Sequence, residues 1–297
     1  MKKIDYFTGP NNPPPVKVSI ITVTYNSEKF LEDCISSVRK QTYGNIEHII
    51  VDGKSTDNTL KIIHKNERHI ARWISETDRG MYDAINKGIK MSTGDIIGIL
   101  NSDDMLASAN VIMDIVACFD ETGTESLYGD LVYVDPNDSK KVVRYWKGLA
   151  YKRSRFNYGW MPAHPTFYIR RELIDKFGEY ENHYYTAADY EFMARYLYSN
   201  KVSSHYLPKM IVKMRNGGIS NGSIYRRLRA NRRDYLAMKR NKIPFAFFVS
   251  ILKPLIKLPQ YKSSKGQQID NGVEKIHRYF DTTVLFFPSD KVAERDS

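Results

Sequence analysis

Acidic residues are almost missing from one part of the chain. Residues 201–260 hold 14 Lys/Arg and a single acid, Asp234, whereas the rest of the 297 residues hold 31 basic and 33 acidic. A near-neutral body followed by a strongly basic segment excludes an acidic, self-solvating tail. It calls instead for an anionic surface, nucleic acid or phospholipid. Cysteine is scarce too, with only Cys34 and Cys118. Both sit in apolar helical patterns (Phe30, Leu31, Cys34, Ile35, Val38; Ile112, Ile115, Val116, Cys118, Phe119). This excludes a disulfide framework, makes both small core residues and points to a reducing compartment. No uncharged apolar run approaches the roughly 20 residues that span a bilayer. The start, MKKIDYFTGPNNPPP, has no apolar stretch of the signal-peptide kind. Glycine is missing where nucleotide folds need it. The first apolar run ends in TVTYNSE, which excludes both the GxGxxG dinucleotide turn and the GxxxxGK[ST] phosphate loop at that place.

What is present alternates. KVSIITVTYN (Lys17–Asn26) is an apolar, β-branched run closing on a polar turn, hence a buried strand. Ser27 is positioned as an N-cap for a helix carrying Phe30, Leu31, Cys34, Ile35 and Val38. IEHIIVDG is a second strand, Asn58–Lys65 a short helix, ARWISE a third strand, and Met81–Met91 an amphipathic helix with Ala84, Ile85 and Ile89 on one face. DIIGIL is a fourth strand. Such alternation implies parallel pairing through right-handed crossovers, with ligands at the carboxyl ends of the strands.

Those ends are polar and mostly acidic. They carry Thr24, Tyr25 and Asn26; Asp52, Ser55, Thr56 and Asp57; Glu76, Asp78 and Arg79; then Asn101, Asp103 and Asp104. Turn and cap preferences account for Ser55, Thr56, Asp57 and Asn58. They do not account for two adjacent carboxylates after a buried strand. Oxygen ligands with no Cys or His cluster suit a hard divalent cation, Mg²⁺ or Mn²⁺, which typically bridges one or two carboxylates to a substrate phosphate.

The linked segments VSIITVTYNSEKFLEDCISSVRKQTYGNIEHIIVDGKSTDNT and SETDRGMYDAINKGIKMSTGDIIGILNSDD resemble glycosyltransferase family 2 with the GT-A fold. The resemblance is continuous over Lys17–Asp104 and weaker from Met161 to about Gly222. It implies a central, mostly parallel sheet flanked by helices, and an inverting, metal-dependent transfer of sugar from a nucleoside diphosphate, a UDP-sugar, to an acceptor hydroxyl. Tyr25 and Asp52 resemble base-recognising residues, and Asp78 and Arg79 resemble nucleotide and donor-sugar contacts. NSDD resembles the DXD motif, with Asn101 where the first Asp often stands and Asp103 and Asp104 as the metal ligands. Lys54 stands where the family commonly has glycine, and is expected to be solvated. The resemblance also places the catalytic base at Asp189 in YYTAADYEFMARYL, with Glu191 second and Arg195 completing the DxxxxxR pattern. By itself, Asp189 reads better as an acid at a helix N-terminus, complementing the dipole. Trp160 and His164, in the aromatic YGWMPAHPTFYIRREL, resemble a donor- and acceptor-pocket segment. A hydrophobic strand and turn explains them equally well.

The expected organisation is a tail (1–16), a catalytic domain (17–222, divided at 104/105) and a basic helical extension (223–297). SIYRRLRANRRDYLAMKR groups Ile224, Leu228, Tyr235 and Leu236 near one face of a helix. Phe245–Leu252 is apolar but too short to cross a bilayer. Together they suit an anionic membrane surface, hence a cytoplasmic enzyme at the inner membrane face acting on a lipid-linked or surface-polysaccharide glycan. The rivals are a basic nucleic-acid-binding module, which lacks any known motif here, and a non-catalytic sugar-nucleotide binder, which would not need Asp189. Residues 262–297 carry no assigned role.

Overall fold

A computed structural model describes residues 15–217 and 224–250, with 224–230 described by backbone alone. Most of the N-terminal tail, the 222/223 boundary and residues 251–297 lie outside the described residues. The alternation read from the first hundred residues is present as β1 (Val18–Thr24), α1 (Leu31–Arg39), β2 (Ile46–Asp52), α2 (Thr59–Lys65), β3 (Arg72–Ser75), α3 (Met81–Met91) and β4 (Ile96–Ile99). All seven residues of β1 are buried, as expected of a continuous apolar strand covered on both faces. β1 pairs in parallel with β2 and β4, and β2 with β3. The register sets Thr24 opposite Asp52 and Asp52 opposite Ser75. Three strands therefore finish level, and their polar residues share one edge.

The second half continues with β5 (Met105–Leu106), α4 (Val111–Thr122), β6 (Ser126–Val134), β7 (Val142–Trp146), β8 (Tyr168–Arg170), α5 (Arg171–Phe177), α6 (Ala188–Met193), β9 (Ser204–Arg215) and α7 (Ile224–Arg240). The nine strands form one sheet in the order β3-β2-β1-β4-β8-β6-β9-β5, with β7 alongside β6. Here only β6 and β9 pair in parallel; β8 runs antiparallel to β4 and β6, β7 to β6 and β5 to β9. The sheet is thus mixed. β5 and β8, at two and three residues, are too short to show a period of two in sequence.

Successive β1 residues face opposite layers. Ile21 points with Ile49, Ile97 and Ile99 towards α3, α6 and α7, while Ile20 points with Ile96 and Leu100 towards α4. Gly98, the one interruption in β4, has a packing reason: a Cβ there would lie 2.2 Å from the ring of Tyr168, which is itself buried on the neighbouring strand. Both cysteines are buried and free.

One local expectation changes. The side chain of Ser27 does not cap α1; its carbonyl accepts the first-turn amides of Phe30 and Leu31, and its hydroxyl meets that of Ser102 at 2.8 Å. The basic helix is present as α7, and it packs inward through a different face from the one grouped around Leu236 for a membrane surface. Ala237 and Met238 are fully buried while Leu236 stays exposed, because Ala237 permits close approach and Arg240 and Asn241 turn in towards the buried Glu191. α7 thereby packs on α6 and on the 182–187 segment before it. Among the described residues no helix is long and apolar enough to cross a membrane.

Candidate active site

The carboxyl edge of β1, β2 and β3 gathers Tyr25, Asp52 and Asp78. Gly53 fixes their spacing: a Cβ on it would lie 2.5 Å from an Asp78 carboxylate oxygen and 3.4 Å from the Tyr25 ring. Sequence reading passed over this glycine, although a close approach of this kind is a standard reason for one. Tyr25 is 64% exposed, an open aromatic face. Asp52 is fully buried and accepts from the Ser55 amide (3.0 Å), the Ser55 hydroxyl and the Ser75 hydroxyl (2.6 Å). Lys54 is exposed at φ 64°, a left-handed conformation that glycine takes without strain. The lysine carries that backbone cost in place.

Asp78 accepts the Gly80 amide at 2.8 Å and so shapes the turn into α3. Arg79 lies in solvent, paired with Asp83 at 3.0 Å. The AINKG run of α3 has three separate jobs. Asn86 bonds both the amide (3.0 Å) and the carbonyl (2.8 Å) of Tyr180, tying together chain segments 94 residues apart. Lys87 donates to the Thr77 carbonyl (2.8 Å) and pairs with Glu76 (2.9 Å), bracing the loop that carries Asp78. Gly88 lies against Ile21, where a Cβ would come within 2.3 Å.

The Asn101–Asp104 loop leaves β4 beside β1, with the Leu100 amide still bonded to Ile21. Its two carboxylates behave differently. Asp103 is part-exposed, whereas Asp104 is fully buried and accepts from the Asn101 side-chain amide at 3.0 Å. Burial raises Asp103; burial and then the charge of Asp103 raise Asp104 well above the carboxylate range. Oδ1 of Asn101 and Oδ1 of Asp104 are buried without a partner, a costly state for polar atoms. Two orphaned hard oxygens beside an accessible carboxylate fit a divalent cation. Among the described residues no group of three His, Cys, Asp or Glu is placed to hold a metal ion.

Arg215, at the end of β9, was not anticipated. Buried to 6% exposure, it donates to the Asp103 carbonyl at 2.9 Å, pairs with Asp33 and covers the Phe30 ring at 4.5 Å. One side chain thus fixes the loop from beneath and opposes the pull of burial on both carboxylates. Nothing in the sequence marks it out, because β9 also carries Lys209 and Lys213.

On the other side, Asp189 opens α6 part-exposed, its carboxylate accepting only the adjacent Tyr190 amide at 2.7 Å among the described residues. Beneath it lie Tyr82, Tyr180 and His164. Burial raises both phenols and Asp189 raises them further; burial lowers His164 and Asp189 opposes it. His164 Nε2 meets the Tyr180 hydroxyl at 2.8 Å, and Trp160 packs edge-on against Phe156 and Tyr128. Both residues are buried supports of this wall. Glu191 is also fully buried, 3.1 Å from Arg195 Nε. Arg195 further binds the carbonyls of Phe177, Gly178 and Glu179. That clamp sets the approach of the chain to Asp189.

A family model described as Glycosyl transferase family 2 matches residues 19–178. The chain belongs to glycosyltransferase family 2. Its sheet order and helices are those of the family's GT-A fold. The chain is 31% identical over 210 residues to the PGL/p-HBAD biosynthesis glycosyltransferase of Mycobacterium bovis, covering 68% of this chain and 78% of that one. Among solved structures, the mannosyltransferase PcManGT of Pyrobaculum calidifontis, in complex with GDP-Man and Mn²⁺, superposes with a TM-score of 0.59 at 16% identity, covering 84% of this chain and 74% of that one. S. aureus TarS 1–349 in complex with UDP gives 0.58 at 23%, over 80% of this chain and 65% of that one, just under two thirds of its length. At these identities the two structures establish the fold alone.

Proposed function

We propose that this family 2 member is an inverting, metal-assisted transferase that moves a sugar from a UDP-sugar to an acceptor hydroxyl. The acceptor belongs to a lipid-linked or surface-polysaccharide glycan at the cytoplasmic face of a membrane. The observation that carries the reading is the arrangement at the carboxyl edge. Tyr25, Gly53 and Asp78 form one wall, the Asn101–Asp104 loop meets the same edge through the Ser27–Ser102 hydroxyl contact, and the charge of Asp189 acts on Tyr82 in the first turn of the helix that Asp78 introduces. Mn²⁺ or Mg²⁺ in this role rests on the carboxylate pair and its orphaned oxygens; the complexes of PcManGT with Mn²⁺ and of TarS with UDP are consistent with it.

Tyr25 would stack the base, with Asp52 shaping the turn beneath it. Asp78 and Arg79 would contact ribose and donor sugar, and Asn101 would orient the loop. Asp103 would be the exposed ligand and Asp104 its buried partner through Asn101. When bound, the cation supplies a Lewis acid for the departing diphosphate. Asp189 would accept the proton of the attacking hydroxyl, and attack opposite the leaving group inverts the anomeric carbon. His164 and Trp160 would hold the wall behind it.

Two measurements test this. Calorimetry with UDP-sugars should show tighter binding with Mn²⁺ than with chelator. NMR of the product from an α-linked donor should show a β-linkage. Equal affinity in both buffers refutes the metal, and a retained configuration refutes inversion.

A further inference from the structure

Three phenylalanines stand out of the described surface. Phe245, Phe247 and Phe248 are 78%, 58% and 63% exposed, just after α7. Exposed apolar residues scattered singly need no explanation, but a cluster does. Phe247 packs edge-on against Phe248 at 5.6 Å and against Tyr235 of α7 at 6.3 Å. Lys239 and Lys242 join them around a shallow concavity of about 370 Å³. The backbone is committed to this display. Ile243 and Val249 are buried and anchor the segment, while Lys242 and Phe245 both adopt φ 54°, unusual for residues with a side chain. An aromatic held outwards at a strained position is an observation from which function can be inferred.

The surroundings are basic. α7 carries seven Arg/Lys against Asp234 alone. Arg240 is engaged by Glu181 and Arg233 by the Tyr185 ring. Lys239 and Lys242, beside the phenylalanines, make no ion pair among the described residues. Apolar rings flanked by uncompensated ammonium groups match the depth profile of an anionic bilayer, with hydrocarbon below and phosphate above.

We propose that the Phe245–Phe248 face, with Lys239 and Lys242, docks on an anionic lipid surface. The purpose, presentation of a lipid-linked acceptor, rests on the function proposed above; the docking itself does not. The partner is the bilayer surface, and insertion is shallow. α7, which carries Lys239 and touches Phe247 through Tyr235, also packs on α6, whose second residue is Asp189, so two directly contacting helices link the docking face to the proposed base.

The test uses the full-length chain in flotation with phosphatidylcholine vesicles, with and without 30% phosphatidylglycerol, at low and high salt. Wild type should float with anionic vesicles only, retaining part of its binding at high salt. The triple variant Phe245→Ser/Phe247→Ser/Phe248→Ser should lose at least tenfold in affinity, and all of its salt-resistant part. Lys239→Glu/Lys242→Glu should lose about thirtyfold or more, taking about fivefold for each lysine near the surface. The altered side chains project outwards, so melting curves should match wild type, as should donor hydrolysis without vesicles. Loss of that hydrolysis in the wild type would count against the proposed function, not against docking. The proposal is overturned if the triple variant floats like wild type. It is equally overturned if wild type ignores anionic vesicles, whether because residues 251–297 cover the face or because it binds single-stranded RNA instead.

Discussion

Asp189 and Glu191 stand two residues apart on α6, and exchanging each for its amide should have opposite consequences. Glu191 is fully buried and meets Arg195 through both oxygens, at 3.1 Å from Nε and 3.1 Å from Nη2, with Arg240 at 3.8 Å. Breaking a buried pair leaves its partner uncompensated, a cost of about 3–5 kcal/mol. Glutamine keeps one acceptor oxygen, so Glu191→Gln should fall near the lower end, about 3 kcal/mol. At about 2–4 °C per kcal/mol for a chain approaching this size, melting should drop by roughly 6–12 °C. Asp189 is part-exposed, and its described hydrogen bond is to the adjacent amide, which asparagine can also accept. Asp189→Asn should therefore melt within roughly 0.5 kcal/mol of wild type, as surface substitutions do. Its transfer rate should fall about a hundredfold to ten-thousandfold, the range for a lost general base. Differential scanning fluorimetry and single-turnover transfer, run on the same preparations, read both axes. If Glu191→Gln melts normally but cannot transfer, while Asp189→Asn transfers at the wild-type rate, the assignment is reversed and the reasoning from burial is wrong.

Other substitutions test the scaffold. Arg215→Met forfeits a charged hydrogen bond and a cation–π contact, about 2–4 kcal/mol together; the Asp33 pair adds little because that carboxylate is 58% exposed, and an unchanged urea midpoint would show that the loop does not depend on it. Gly98→Ala must displace the buried Tyr168 ring and should cost about 1–3 kcal/mol, read by the same denaturation; a neutral result would mean the two strands part easily. Burial lowers His48 to about 4 from 6.5. Above pH 6.5 both states are neutral there. Between 6.5 and 4 the unfolded chain takes up a proton that the folded chain refuses, so stability should decline by about 3 kcal/mol across that window. His48→Gln should flatten this decline, and an equal slope in the variant would place its origin elsewhere.

The first hundred residues were legible because their signals are local. β1, β2 and α3 show their periods within single windows, and α3 spans the residues its pattern predicts, Met81–Met91. The antiparallel half was not, since β8 and β5 are defined by partners distant in the chain. At the site, residue types were readable but their accessibility was not. Nothing in the string NSDD separates a part-exposed Asp103 from a buried Asp104; that depends on Arg215, 112 residues away. Trp160 and His164 likewise look like pocket residues until their neighbours fill in around them. Lys54 is the reverse case: the position reads as glycine's, and the φ of 64° shows why.

The seating of α7 on α6 has a consequence for synthesis. α6 and β9 leave the ribosomal tunnel before α7 does. Until Ala237, Met238 and Asn241 emerge, the apolar wall of α6 and the Glu191–Arg195 pair have no cover. At about 5–20 residues per second, the gap from Ser199 to Ile243 lasts roughly 2–9 s. The nascent chain can therefore complete β1–β4 long before α6 is capped. This order of assembly delays completion of the wall around α6 until α7 is itself out of the tunnel.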